Sequence, residues 1–319
     1  MEWVTEAFAA VHTWLFETVV QPALYAFGLI GIDESAFAAT EWFLFGVVEI
    51  AVLYALLRPL EAAIPAEHWS DRRGVGIDVL YTFINRLGVV PLGLFALLTP
   101  LADWLQSSLG AIGFQPFHIE NFVPGLGAVP FVVFVIYLVV LDLAEYWRHR
   151  LSHRFEWWWS LHALHHSQRR MSFWTDNRNH LLDDFTQALW SALIALAIGI
   201  PPGQFFLAII FARMIESLSH ANIRLPFGAI GERLIVSPRF HRRHHAIGFG
   251  HEGAYRGCNF AVLFPIWDIL LRTADFRAEL EPTGIRDQLT GRDYGAGFWR
   301  QQWLGARTMA HALRRNNGV

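Results

Sequence analysis

The sequence predicts an all-α integral membrane protein, with about four transmembrane helices and a cytoplasmic helical cap rich in histidine. Three observations predict it. The composition is 54% hydrophobic and only 17% charged, with 14 Trp and 26 Phe and a mean hydropathy of +0.30. Four apolar runs cover 42–57, 80–105, 129–141 and 189–211, to be set against the ~20 apolar residues a helix needs to cross a bilayer. Histidine, 15 residues in all, gathers after the third and fourth runs.

Residues 1–41 form the first unit, and the apolar stretch at 12–32 within it suits an amphipathic surface helix or an extra membrane segment. Its start, "MEWVTEAFAA", is acidic and lacks the basic region of a secretory signal, so insertion is expected to depend on the apolar segments themselves. Residues 42–144 carry the membrane helices. The run at 80–105 is long enough to span, that at 42–57 is near the limit, and that at 129–141 is short unless Leu143 and Ala144 extend it. Residues 145–273 hold the histidines and a membrane hairpin at 185–218, broken by Pro201 and Pro202 in "IGIPPGQ". Proline cannot continue a helix, so two short helices or one kinked span are expected there. Residues 274–319 are a polar tail, folded against the cap or partly loose.

Arginine sets the orientation. The chain has no Lys, and neither 1–57 nor 102–127 holds an Arg. Arg58, Arg72 and Arg73 follow the first run, and Arg148, Arg150, Arg154, Arg169, Arg170 and Arg178 follow the third. Cytoplasmic flanks carry the Lys/Arg excess. The segment before Trp42 and the stretch 106–124 are therefore expected outside, with the histidines on the cytoplasmic face of a multi-pass bacterial inner-membrane protein. Two charges fall inside apolar runs; Arg86 is expected to snorkel to the interface, with Glu49 pairing with it or facing a wet seam. Cys258 stands alone, which excludes an intrachain disulfide and any multi-Cys metal site. No nucleic-acid partner is expected.

The histidines are spaced for a metal. In "HRLSH", His149 and His153 are four apart and share one helix face. "LHALHHSQRR" places His162, His165 and His166 at i, i+3 and i+4, and "FHRRHHAIGF" repeats the pattern at His241, His244 and His245. His180 in "NRNHLLDD" and His220 in "SLSHANI" bring the candidate ligands to ten. Imidazole suits zinc, copper, iron and nickel, and a closed structural zinc site takes four ligands. The surplus points to two ions with open positions. That suits O2-activating non-haem iron, although spacing alone does not choose iron. His12, His68, His118 and His311 read as ordinary polar residues, and His251 as a supporting group beside the second triplet.

These motifs resemble the fatty acid hydroxylase/sterol desaturase superfamily of membrane di-iron enzymes. The resemblance covers roughly 142–273, through "LDLAEYWRHRLSHRFEWWWSLHALHHS", "RNH", "SHAN", "SPRFHRRHH" and "CNFAVLFPIWDILLRT". It implies two non-haem Fe ions held by His149, His153, His162, His165, His166, His180, His220, His241, His244 and His245. Asn259 and Asp268 are implied as supporting partners. Phe260-Ala261 stands where the family has Tyr-Gly, and Arg272 where it has Gly; these departures bear on pocket shape and substrate.

The implied activity is O2-dependent oxidation of an unactivated C–H bond of a membrane lipid (sterol, fatty acyl or related), by hydroxylation or desaturation, with O2 as co-substrate. The sequence has no haem-attachment Cys motif and no flavin fingerprint, so electrons are expected from a ferredoxin or a b-type cytochrome with its reductase. Arg169, Arg170, Arg242 and Arg243 would meet either such an acidic donor or lipid headgroups. Trp157, Trp158, Trp159, Phe173 and Trp174 are candidates for a lipid-facing lining or an interfacial belt. Two rivals are weaker. A His-rich metal transporter would place its ligands within the spans near the midplane, and a zinc-dependent lipid hydrolase needs three ligands and a carboxylate base.

Overall fold

A computed structural model describes every residue except Met1, Ser70, Arg73, Phe122, Ala254, Ala278 and 317–319, and leaves the side chains of Glu2 and Asn316 undescribed. Arg73, one of the arginines used for orientation, thus lies outside the described residues. The described residues are helical without a strand, carrying only the isolated bridges Pro65↔Ile223 and Ala246↔Thr283. In chain order the helices are α1 (Glu2–Leu15), α2 (Gln21–Ala26), α3 (Asp33–Ala63), α4 (Val75–Arg86), α5 (Val89–Ala111), α6 (Pro130–Arg154) and α7 (Glu156–His166). They continue as α8 (Leu181–Ile198), α9 (Pro202–His220), α10 (Gly228–Leu234), α11 (Pro238–His244), α12 (Ile266–Leu270) and α13 (Phe298–Asn316).

Four helical segments are long and apolar enough to cross a membrane: Ile30–Ala63, Val89–Ala111, Pro130–Arg154 and Leu181–Ile198. Their outer faces leave large apolar side chains such as Leu56, Phe95 and Phe131 exposed, as a lipid-facing surface requires. The run at 42–57 sits inside the longer α3. The run at 80–105 is divided, because Gly88 takes φ 89°, a left-handed conformation open mainly to glycine, and separates α4 from α5. The run at 129–141 continues through Leu143 and Ala144 and carries its helix on to the first histidine pair. At the proline break Gly199 turns left-handed, Pro201 caps and Pro202 opens α9. The break makes a hairpin of two helices.

The bundle has two unlike ends. At one, the α5–α6 connection packs on the α8–α9 turn: Phe117 N–H donates to Ala197 O (2.8 Å), and Ile119 and Leu126 cover Val133, Tyr137 and Ile200. At the other, the C-terminal ends of α3, α6 and α9 meet the N-terminal end of α8. There Ala66 N–H donates to Asn222 O (3.2 Å) and Glu67 N–H to Asn222 Oδ1 (2.9 Å). The clustered histidines are at this second end.

Arg86 departs from its expectation. It is 2% exposed and reaches inward, paired with Glu49 and with Asp176 (2.8 Å) and donating to Ser217 Oγ (2.7 Å). Arg213 also meets Glu49 (3.2 Å). Snorkelling fails here because Gly46 lets α3 approach α4 directly: a Cβ on Gly46 would sit 1.7 Å from the Arg86 carbonyl oxygen. That approach leaves the guanidinium facing protein, where the carboxylates of Glu49 and Asp176 offset the cost of its burial. The pairing with Glu49 is as expected.

The polar tail folds back. Its helix α13 lies along α7, and Tyr81 Oη donates to Gln301 Oε1 (2.9 Å) while Gln302 Oε1 accepts from Leu181 N–H (2.8 Å). At the other terminus α1 and the turn at 16–20 rest on α3, with His12 Nε2 donating to Phe37 O (2.9 Å) and Phe16 packed edge-on against Phe37.

Candidate metal centre

Four elements bring the histidines together. The last turns of α6 present His149 and His153, α7 the first triplet, the end of α9 His220, and α11 with the residue after it the second triplet. Ser237 fixes the start of α11, its Oγ accepting Phe240 N–H (3.1 Å) ahead of Pro238 at the first helical position.

Nine buried rings form two groups, within each of which the ligand atoms lie inside 4.8 Å of one another. The first holds His149, His153, His162, His166 and His244, and the second His165, His220, His241 and His245. Each triplet is split. The outer pair of α7, His162 and His166, joins the first group and its middle member His165 the second. In the second triplet the outer pair, His241 and His245, joins the second group and His244 crosses to the first. Helices carrying i, i+3, i+4 patterns and facing one another across a seam thus exchange their middle residues.

In the first group four rings are held from behind. Nδ1–H donates from His149 to Phe260 O (2.8 Å), from His153 to Arg256 O (3.1 Å), from His244 to Cys258 O (2.7 Å) and from His162 to Asp183 Oδ2 (2.8 Å). Each such bond fixes a tautomer with a bare Nε2. Those four Nε2 atoms are buried and have no hydrogen-bond partner. In the second group only His220 is held so, Nδ1–H donating to Glu216 O (2.7 Å). Its Nε2 lies 3.1 Å from His165 Nε2 and 3.0 Å from His241 Nε2, which is 3.2 Å from His245 Nε2.

These features fit a pair of metal ions. Buried polar atoms without partners are costly, and here they converge as lone pairs. Adjacent ligands of an octahedral ion with bonds of about 2.1 Å are about 3.0 Å apart, the spacing found in the second group. Burial holds the His165, His166, His241 and His245 imidazoles well below their usual range and pushes His244 down to about 3; neighbouring histidines add to the effect. These five rings are therefore neutral near pH 7, as ligation requires.

The tenth candidate, His180, is not brought to either group. It caps α8, Nδ1 accepting Leu182 N–H (3.1 Å), while Nε2–H donates to Gln302 O (2.7 Å). Its ring lies against α13 at Gly305. Spacing could not reveal this, because the partner is more than 120 residues away. Among the described residues, Asn259 and Asp268 hydrogen-bond to no imidazole. Asn259 (φ 56°) binds Phe240 O (2.8 Å) and Asp275, and Asp268 accepts Phe260 N–H (2.9 Å) and Ala261 N–H (2.8 Å). They brace the segment whose carbonyls hold His149 and His244.

Other expectations shift likewise. Phe173 belongs to the core with Leu53, Leu57, Ala221 and Ile223. Trp158 is buried and donates to Asp183 (2.8 Å), and Trp159 lies against His153 and His166 and stacks on His251. Arg242 and Arg243 are buried and paired with Glu67 (2.7 Å) and Asp275 (2.9 Å), so they are not a docking face. Sequence reasoning missed Asp183, which orients His162, and Asp142, which accepts Leu263 N–H (2.8 Å), Phe264 N–H and Trp267 Nε1–H to pin the closing segment to α6. The pair "DD" after "NRNHLL" was the available signal for Asp183.

Residues 134–273 match the family model of fatty acid hydroxylase. The chain is 27% identical over 298 residues to the ornithine lipid hydroxylase OlsE of Rhizobium tropici, covering 92% of this chain and 83% of that one. It is 30% identical over 144 residues to the alkylglycerol monooxygenase of Homo sapiens and 29% over 138 residues to that of Caenorhabditis elegans. Those two matches cover 44% and 43% of this chain but only 30% and 26% of the relatives. No solved structure matches the chain. This match falls on the stretch that gathers the histidines, so residues 134–273 carry a fatty acid hydroxylase domain.

Proposed function

We propose that this membrane protein is an O2-dependent lipid hydroxylase working with two non-haem irons. The observation that carries the reading is the set of nine buried imidazoles in groups of five and four, with unpartnered nitrogens turned toward one another. The relatives are a lipid hydroxylase and a monooxygenase, which supports hydroxylation over desaturation. His149, His153, His162, His166 and His244 would hold one iron, and His165, His220, His241 and His245 the other. Neutral imidazole donors of this kind would suit iron that supplies O2 chemistry.

In the overall reaction one oxygen atom enters a C–H bond to give an alcohol and the other leaves as water, with two electrons and two protons supplied from outside. When bound, the irons supply the reduction of O2, which side chains do not perform. The chain's own residues hold neutral imidazoles in one tautomer, and Asp183 keeps His162 turned inward. The burial of all nine rings excludes bulk water. The donor would be a separate ferredoxin or b-type cytochrome meeting exposed arginines such as Arg154 and Arg169. The histidine end also carries Arg58, Arg72 and Arg178, while 102–127 at the other end has none, which supports a cytoplasmic site.

The test is metal analysis of detergent-purified protein together with O2 uptake in the presence of a reductant. About two irons per chain and reductant-dependent uptake are expected; a single tight zinc with ester or amide hydrolysis would sink the reading.

A further inference from the structure

A cavity of about 280 Å³ opens beside the C-terminal end of α3, and none of its lining residues is a histidine of the two groups. Arg58 and Glu61 line it from α3, Glu67 and Arg72 from the segment after α3, and Ser172 from the stretch after α7. Arg58 lies in the last turns of the candidate span Ile30–Ala63. The cavity therefore stands where that helix leaves the hydrocarbon and meets the headgroups.

Its polar groups are unequally committed. Both carboxylates are occupied: Glu61 Oε1 accepts Phe173 N–H (3.0 Å) and Asn222 N–H (2.9 Å), and Glu67 meets Arg242 (2.7 Å) and Trp69 Nε1–H (3.1 Å). Asp71, next in sequence to Arg72, is paired with Arg170 (3.2 Å). Arg58 and Arg72 differ. Among the described residues neither guanidinium has a hydrogen bond or an ion pair, and each acts on Glu61 from beyond ion-pair distance. Ser172 is 2% exposed, and its Oγ has no partner either. Counting Arg242 with the wall gives three guanidiniums against two carboxylates, one positive charge in excess before His68 is added. Arg242 adjoins His241, so metal ions held there would add charge of the same sign. Two fork-shaped donors without an anion and a buried hydroxyl without an acceptor match the oxygens of a phosphate.

An apolar strip starts from the same place. Tyr54 and Val47 precede Arg58 by four and eleven residues, which puts all three on one face of α3. Both are exposed, and the Tyr54 ring lies 6.3 Å from that of Trp174 in the cavity wall. A soluble phosphate needs no such strip, whereas an acyl chain does. We propose that the cavity holds the phosphate of a phospholipid whose acyl chain lies along this strip of α3. This lipid is a bound companion of the fold, and its site is separate from the histidines.

Binding tests it. The full chain, stripped of lipid in detergent, is titrated with dioleoylphosphatidylglycerol, with dioleoylglycerol and with glycerol 1-phosphate, which separate the head from the chains. The phospholipid should bind about tenfold tighter than dioleoylglycerol, through charge-assisted hydrogen bonds to phosphate, and tighter than glycerol 1-phosphate. Arg58→Gln combined with Arg72→Gln should erase the preference over dioleoylglycerol, and Ser172→Ala should reduce it about threefold, with iron content unchanged in each. Equal binding of phospholipid and dioleoylglycerol, or a preference that survives the double variant, overturns the proposal. Glycerol 1-phosphate bound as tightly as the phospholipid would assign the cavity to a soluble anion and overturn it too. Should the double variant not survive purification, Arg72→Gln alone carries the test, since Arg72 is exposed: an undiminished preference there overturns the proposal. Binding is read without O2 or reductant, so its failure and that of the hydroxylase reading are distinguishable.

Discussion

In the first histidine group four of five rings donate from Nδ1 to a carbonyl or carboxylate behind them, whereas in the second only His220 does so. The Nδ1 atoms of His165, His241 and His245 have no partner at all. One group is therefore shaped by the protein before any ion arrives. The other has ring positions set by backbone packing, but ring orientations left to the ion. Tethers of this kind raise ligand basicity and lower the cost of ordering the site, so the two ions should differ in how tightly they are held.

The largest effect expected is loss of one ion at a time. His244→Ala should remove the first ion and His241→Ala the second, each bringing iron from about two per chain to about one and abolishing hydroxylation. Unchanged iron in either variant would strike that residue from the ligand set. Asp183→Asn tests the tether itself. It should weaken the first ion about 10–100-fold and leave the second as it was; equal weakening of both would contradict the contrast drawn here. Without any substitution, a mild chelator should strip iron in two phases, the faster from the second group, and loss of the faster phase in His241→Ala would identify it.

Acid should act on both groups. Burial depresses the imidazoles below the ordinary 6.5, His244 to about 3, so the unfolded chain binds more protons than the folded one in between. Stability of the metal-free chain is then full above about pH 6.5 and lost as pH falls from there toward 3. A thermal midpoint that stays flat between those values would show that the rings are not buried as described. The smallest effect belongs to His180→Ala, which should cost about 0.5–2 kcal/mol as a lost helix cap with both ions retained; iron loss would return His180 to the ligand set.

Legibility in the sequence followed the range of the interaction. The i, i+3, i+4 spacing of the triplets is a local helical fact, and nine of the ten candidate ligands do meet. His180 failed because a histidine before a helix can cap it as readily as bind metal, and the choice lay with Gln302 on α13. Arg242 and Arg243 looked like surface charge in "FHRRHH", yet Glu67 and Asp275 bury them from distant segments. Arg86 was misplaced for the same reason: its partners lie on α3, the 175–177 turn and α9.

The helical membrane class, the proline break and the supply of imidazoles on helix faces were legible from the residues alone, because apolar length, Pro placement and 3.6-residue periodicity act within one segment. Tertiary packing alone set the split of each triplet between two groups, and the carbonyls and Asp183 that orient the first group. Each of these depends on which helices face one another, and that is set by long-range packing across α3, α6, α7, α8, α9 and α11.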